Sequence, residues 1–404
     1  MSASWLKTKS QEWIDRVKKR GFFYWVRLFI TVLIVQSLVT WADNHGLITD
    51  ARYAFYRLLQ RLDHHPSYDQ STDVITVDDD EYYKGALQER IPIKRDYLAH
   101  LIEKLDVAEA KVIALDFDLR SPSPDGNPVE SPDYASETHE LLETIKQVAV
   151  RRQIVLPRTV WKQNGEYVTN SDIYDGFDFG SAHVFKGYIA LPYERLEIPL
   201  TLKLKGDVPL DSFSMAIVRA FQSKALDYLP QKDRAPYASF ISEKDFDHRS
   251  AHEVLTGDPD TLHDKVSGHI VIIGAAWRKW AFGTGARVDL HPTPMGSMPG
   301  AYLHANYVEA ILGNRTYPLL SIYVVKAVEW IVVVAMALGF AATETPAWKP
   351  VVVVVSWLLL LLFTYFSFVN LGHVFDLFVP AISVTVHWVF EHFYEGFQKK
   401  AAAP

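Results

Sequence analysis

The chain has 404 residues, a formal net charge of −7 at pH 7, no cysteine and a hydrophobic share of 49%. The missing cysteines exclude a disulfide framework and thiolate chemistry, and the hydrophobic share excludes an intrinsically disordered chain. With an acidic balance and no basic block in its central region, the protein is not expected to bind nucleic acid.

Lys7, Lys9, Arg16, Lys18, Lys19 and Arg20 precede an apolar run at residues 22–42, and three more such runs follow at 319–342, 351–371 and 374–393. Each is about 20 residues, the length a helix needs to cross a hydrocarbon core of roughly 30 Å. The pattern predicts four transmembrane α-helices. Basic residues beside a crossing stay on the cytoplasmic side. Residues 1–21 and the tail at 394–404 are therefore expected in the cytoplasm, and residues 43–318 outside it. No Ala-x-Ala-like site follows the first run, and Trp41 offers an interfacial anchor, so it reads as an uncleaved anchor rather than a signal peptide. Ala335 and Gly339 give the second run a small-residue face for close helix packing, and His387 sets a polar group in the fourth.

Between the first and second runs, short apolar segments alternate with helix-period segments. Residues 52–62 predict a helix leading into the domain. Asp73-Val-Ile-Thr-Val77 predicts a strand. Tyr97, Leu98, Leu101, Ile102 and Leu105 recur at helical spacing, with Asp96 as N-cap. Lys111-Val-Ile-Ala-Leu-Asp-Phe117 and Gln153-Ile-Val-Leu156 predict two more strands, with a helix between them at Leu141, Leu142, Ile145, Val148 and Ala149. Residues 165–204 read as hairpins and loops, 213–225 as a helix, 269–274 as a late strand and 301–312 as a closing helix. Strands alternating with helices predict an α/β domain with a largely parallel sheet.

In open α/β sheets, ligands bind beyond the carboxyl ends of the strands. Three strand ends carry polar groups: Asp78 and Asp79; Asp116 and Asp118; and the loop reaching Asp289 and His291. Asp78, Asp116, Asp118 and Asp289 offer hard oxygen ligands for a divalent cation, or alternatively pair with Arg95 or Arg120 to order loops. The Pro-rich stretch from Asp289 to Gly300 delivers the chain to His304 and Asn306. It serves either as a closure over a ligand or as a rigid strap. The candidate ligand-binding residues are thus Asp78, Asp79, Asp116, Asp118, Asp289, His291, His304 and Asn306. No nucleophile elbow, P-loop or zinc-type histidine spacing is present, and Asp116-x-Asp118 lacks the partners of a phosphohydrolase. No enzymatic activity and no cofactor are expected, a divalent cation at the acidic strand ends being the open alternative.

Val271-Ile-Ile-Gly274, Asp289-Leu-His291-Pro-Thr-Pro294 and Met298-Pro-Gly300-Ala-Tyr-Leu-His304-Ala-Asn306 together resemble the end of a type-2 CHASE domain. The resemblance covers about residues 42–316. It implies a bacterial extracytoplasmic sensor in the inner membrane, feeding a cytoplasmic output. Only a short tail follows the fourth apolar run, so the expectation is a sensor without its own output domain. Its expected partners are membrane lipid, an unknown extracytoplasmic ligand, and either a second copy of the chain or a membrane or cytoplasmic effector protein. The alternative is a structural or scaffolding subunit of a cell-envelope complex.

Overall fold

The computed structural model describes residues 11, 15, 21–62, 70–120, 134–180, 182–190, 199–222, 237–277, 289–317, 320–342, 348–371, 373–375 and 377–401. The chain divides into a helical unit, residues 1–63 with 318–404, and an α/β unit, His64–Tyr317.

The helical unit begins with α1 (Phe22–Asn44) and α2 (Thr49–Leu62). The segment expected at 1–21 lies almost wholly outside the described residues.

In the α/β unit, β1 (Thr72–Val77) is followed by a one-turn helix α3 (Asp79–Tyr83) and by α4 (Arg95–Val107). Then come β2 (Val112–Asp116), α5 (Tyr134–Val148), β3 (Gln153–Arg158), β4 (Val160–Gln163), β5 (Glu166–Thr169) and β6 (Val184–Tyr188). Next are β7 (Thr201–Leu204), β8 (Val208–Asp211), α6 (Phe213–Phe221), β9 (Tyr237–Ala238), β10 (His248–Ser250), α7 (Ala251–Thr256) and α8 (Pro259–Val266). The unit closes with β11 (Ile270–Ala275), β12 (Leu290–Thr293), β13 (Gly296–Pro299), α9 (Gly300–Leu312) and β14 (Thr316–Tyr317).

Six strands form one sheet in the order β10-β1-β11-β2-β3-β6, and every neighbouring pair is parallel. Parallel strands are buried on both faces and read as near-continuous apolar runs, which is why β1, β2 and β11 stand out in the sequence. Along them, Ile75, Ile113, Leu115, Val271 and Ile273 pack with α4, α5, α7 and α8. The alternate residues Val74, Ala114 and Ile272 turn to the other face, where α6 and α9 lie. A four-stranded β4-β5-β7-β8 sheet stands apart; β5 and β7 fall in the region read as hairpins, with β4 just before it and β8 just after.

Three local expectations are corrected. The N-cap of α4 is Lys94, without a side-chain cap; Asp96 lies one residue inside the first turn, and its carboxylate accepts the next amide, Tyr97 N, at 2.7 Å. The edge strand β6 falls in the stretch read as hairpins and loops but pairs parallel with β3, and β10 falls where no element is predicted. They are short, and Lys186 and Gly187 interrupt the apolar pattern of β6. The Pro-rich strap is a β-hairpin, with Thr293 opposite Gly296. Gly296, at φ 118°, supplies the backbone its turn needs, and the Thr293 hydroxyl donates to the Gly296 carbonyl at 2.6 Å.

Both connections of this unit leave from the amino end of the sheet. The first strand starts there. Helix α9 runs back from the Gly274 level to the same end, where Glu309 Oε1 accepts Ser71 N–H at 2.9 Å.

The helical unit resumes with α10 (Ile322–Ala342), α11 (Lys349–Leu371) and α12 (Phe378–Ala401). Among the described residues one helix, Lys349–Asn370, is long and apolar enough to cross a membrane; Phe29–Ala42 and Pro380–Phe390 are shorter apolar helices. The fourth apolar run becomes helical at Phe378 rather than 374. Pro380 then sits in the first turn, where its missing N–H breaks no helix bond. Polar contacts join the helices: Ser383 donates to Gln36 Oε1 at 3.0 Å, and Trp357 Nε1 donates to Thr385 at 3.1 Å. A Cβ at Gly339 would lie 3.0 Å from Val352, so that small residue serves packing within the unit. The His387 side chain lies outside the described residues.

Candidate functional site at the carboxyl end of the sheet

The central strands bring two polar ends side by side. Asp116 ends β2, in register with Gly274 of β11. A Cβ at Gly274 would stand 2.6 Å from that of Ala301, so glycine here admits the first turn of α9 beside the strand end. The hairpin then sets Asp289 against that same turn. Gly300 N donates to Asp289 Oδ2 at 3.2 Å, and a Cβ on Gly300 would come within 2.2 Å of that oxygen. A carboxylate at a helix amino end is favoured both by the exposed N–H groups and by the helix dipole. The other oxygen, Asp289 Oδ1, is 2.8 Å from His291 Nε2.

His304, one turn into α9, is 1% exposed and packs edge-on to Phe213 at 5.0 Å. The Ser214 hydroxyl is 3.2 Å from both His304 Nδ1 and the His304 carbonyl. A hydroxyl that donates to the carbonyl is free to accept from Nδ1–H, the arrangement that leaves a lone pair on Nε2. Nε2 faces Asp116 Oδ1 at 3.8 Å, beyond hydrogen-bond length, and Asp116 Oδ2 is buried with no hydrogen-bond partner among the described residues.

Electrostatics follow from this enclosure. Burial, reinforced by the Asp289 carboxylate, raises the Asp116 pKa well above its ordinary value. Burial lowers the His304 pKa to about 3, with His291 adding to the effect and Asp289 and the Ile189 carbonyl opposing it. Both groups are thus driven towards their neutral forms. A neutral carboxyl and a neutral imidazole can exchange hydrogen-bond donor and acceptor roles with an incoming polar group, or share a proton after a small approach.

The structure therefore gathers Asp116, Asp289, His291 and His304. Four other sequence candidates do not join them. Asp78 caps α3, accepting from Glu81 N at 2.9 Å, and Asp79 lies in the first turn of that helix. Asp118 turns to solvent and pairs with Arg120, whose Nε lies 2.7 Å from Asp118 Oδ2. Asn306 is a fully buried structural residue, accepting from Ile241 N at 2.7 Å and donating to the Tyr302 carbonyl at 2.9 Å. Arg95 does not pair with these aspartates; it lies with Glu137 and Thr138. Among the described residues, no group of three His, Asp or Glu is placed to hold a metal ion. Sequence reasoning missed Ser214, whose one signal is a small polar residue inside the otherwise apolar stretch from Phe213 to Val218.

A CHASE2 domain family model matches residues 29–342 of the chain. The chain belongs to the CHASE2 domain family. No curated protein and no solved structure matches it. The matched span takes in the whole α/β unit, including the strand ends and hairpin of the site. It also reaches into apolar helices at both ends, α1 and α10. CHASE2 is an extracytoplasmic sensor domain, and the site lies at the carboxyl end of its parallel sheet.

Proposed function

We propose that this protein is a multi-pass membrane sensor. Its CHASE2 domain lies outside the cytoplasm and takes a ligand at the Asp116–His304 strand end. The observation that carries the reading is the buried Asp116 carboxyl with an unused oxygen, set 3.8 Å from an imidazole nitrogen that is also without a bond. A buried polar group left unmade costs about 1–3 kcal/mol, which a ligand that bonds both groups would recover. The ligand edge is opposite the end from which both connections leave, so a change in α9 runs directly from the site to the exit of the domain. Exposed large apolar side chains on α11, among them Leu359 at 59% and Leu362 at 64%, support burial of that helix in lipid. α1, α10 and α12 act as the other crossings, with both termini cytoplasmic, and they pass the signal to an effector.

Two measurements test this. In a chain free of native cysteine, an impermeant thiol reagent should label a cysteine placed at Ser123 in cells with a permeable outer layer and spare one at Ala402. A low-molecular-mass extract of the envelope compartment should raise the melting temperature of the purified full chain, and Asp116→Asn should remove the rise. Reversed labelling ends the topology, and an undiminished shift in the variant ends this placement of the ligand.

A further inference from the structure

On the α4–α5 side of the same sheet end lies a second polar cluster, of opposite charge. Arg95, the first residue of α4, is 1% exposed. Its Nη1 donates to the Thr138 hydroxyl, its backbone N–H donates to Glu137 Oε2 at 3.2 Å, and its guanidinium carbon sits 4.0 Å above the centre of the Tyr134 ring. Glu137, 7% exposed as a side chain, is already gripped by Arg90, whose Nη1 and Nη2 reach its two oxygens, the second at 2.8 Å. One carboxylate therefore stands beside two guanidinium groups but is bonded by only that of Arg90; Arg95 reaches it through its backbone N–H. Among the described residues, Nε and Nη2 of Arg95, together with Nε of Arg90, find no hydrogen-bond partner.

We propose that the free edge of Arg95 is an anion receptor, taking a carboxylate or phosphate group of the sensed ligand through Nε and Nη2. These two nitrogens carry the parallel N–H pair that matches two oxygens of such a group, a fit lysine cannot reproduce. Two further observations point the same way. The cluster carries one positive charge too many for its burial, and an uncompensated buried charge is costly unless an opposite charge joins it. Burial pulls the Arg95 pKa below its usual range, while Tyr134 and Glu137 act to restore it. A water molecule would satisfy the two donors but not the charge. The cluster meets solvent through Arg90, 16% exposed. Because the free edge of Arg95 has no exposed surface, an anion reaches it only in a conformation that opens this end of α4 and α5. A ligand that binds one conformation alone shifts the population towards it, which is what a sensor requires. The assignment rests on the sensor reading and gives it a ligand class.

The test uses the full chain in lipid nanodiscs, with inorganic phosphate or succinate compared against chloride at equal ionic strength. One or both anions should raise the unfolding midpoint saturably and alter amide exchange in residues 95–107 and 134–148. Phosphate alone, or succinate alone, identifies the class of the ligand group. Arg95→Lys, which keeps the charge and loses the fork, should weaken the midpoint response about tenfold in concentration, equivalent to about 1.4 kcal/mol. If that variant fails to fold, Thr138→Val keeps the guanidinium, releases its anchor and must weaken the same response. No saturable effect of either anion on the unaltered chain, or an equal effect in the folded variants, overturns the proposal. Either result leaves the Asp116 measurement standing, because that one is read with envelope extract.

Discussion

The two ends of the parallel sheet treat buried acids differently. At the amino end, Asp73 is 2.8 Å from His269 Nδ1, and Glu309 accepts Ser71 N–H at 2.9 Å. Each is almost fully buried and each has a close partner. At the carboxyl end, Asp116 is buried beside a histidine it does not reach, and Arg95 is buried with two unused donors. The same sheet supports both ends, so burial alone does not explain the contrast. The amino end joins the incoming strand to the outgoing helix, and there hydrogen bonds hold the fold. At the carboxyl end, Asp116 Oδ2 and the Nε and Nη2 of Arg95 make no hydrogen bond among the described residues, which lowers stability and leaves them for a ligand.

The largest effect should come from breaking the amino end. Glu309→Ala removes the acceptor of a partly buried amide that pins the start of β1 to α9. It should lower the stability of the full chain by roughly 1–3 kcal/mol, read as a drop in the denaturant midpoint. It should also raise amide exchange at residues 71–77. A midpoint equal to that of the unaltered chain would erase the distinction between the two ends.

At the carboxyl end, Asp116→Asn should cost less than about 1 kcal/mol near neutral pH or even stabilise, since it removes an acid that burial disfavours. Its signature lies in the pH profile. His304, at about 3 when folded and 6.5 when free, binds its proton more readily in the unfolded chain. Its contribution is therefore present above pH 6.5 and is lost as pH falls from 6.5 towards 3, by about 1.4 kcal/mol per pH unit. Asp116 has a raised folded pKa and binds its proton more readily in the native state. Its contribution is present below its free value and is lost as pH rises through the raised one. Between these limits the two slopes oppose each other. Without Asp116 the histidine slope stands alone, and the denaturant midpoint should fall more steeply on acidification than in the unaltered chain. Parallel profiles would show that Asp116 binds its proton no more readily in the native chain than in the unfolded one.

Much of this contrast was legible in the sequence at the level of elements. The apolar runs of β1, β2, β3 and β11 predicted a parallel layer because such strands are buried on both faces. The edge strands β6 and β10 carry no such run, and only pairing to β3 and β1 makes them strands. Candidate residues were legible by type and by their place at strand ends. Their grouping was not, because it depends on how the chain leaves each strand. Asp116 and Asp118 are two residues apart, yet one is enclosed by α9 and the other lies in a turn closed by its own neighbour. The cluster of Arg90, Arg95 and Glu137 joins residues 47 and 42 positions apart, and no local pattern signals it.

The smallest effect tests that last distinction. Asp118 accepts from the backbone N–H of Arg120 at 3.1 Å and from its guanidinium Nε at 2.8 Å, the arrangement of an aspartate that bonds its own chain two residues on. Its side chain is 47% exposed and that of Arg120 50%. Attraction between such exposed groups is screened by water and salt, and holding the long arginine in place costs rotamer entropy. Hydrogen bonding to Asp118 and its charge raise the Arg120 pKa, but at this exposure the shift converts into little stability. Asp118→Ala should therefore change the denaturant midpoint by the equivalent of less than about 0.5 kcal/mol, less still at high salt. It should also leave the response to envelope extract intact, in contrast to Asp116→Asn two residues earlier. A lost response in Asp118→Ala with an unchanged midpoint would move the ligand edge outward, from the enclosed Asp116–His304 pair to the solvent-facing turn.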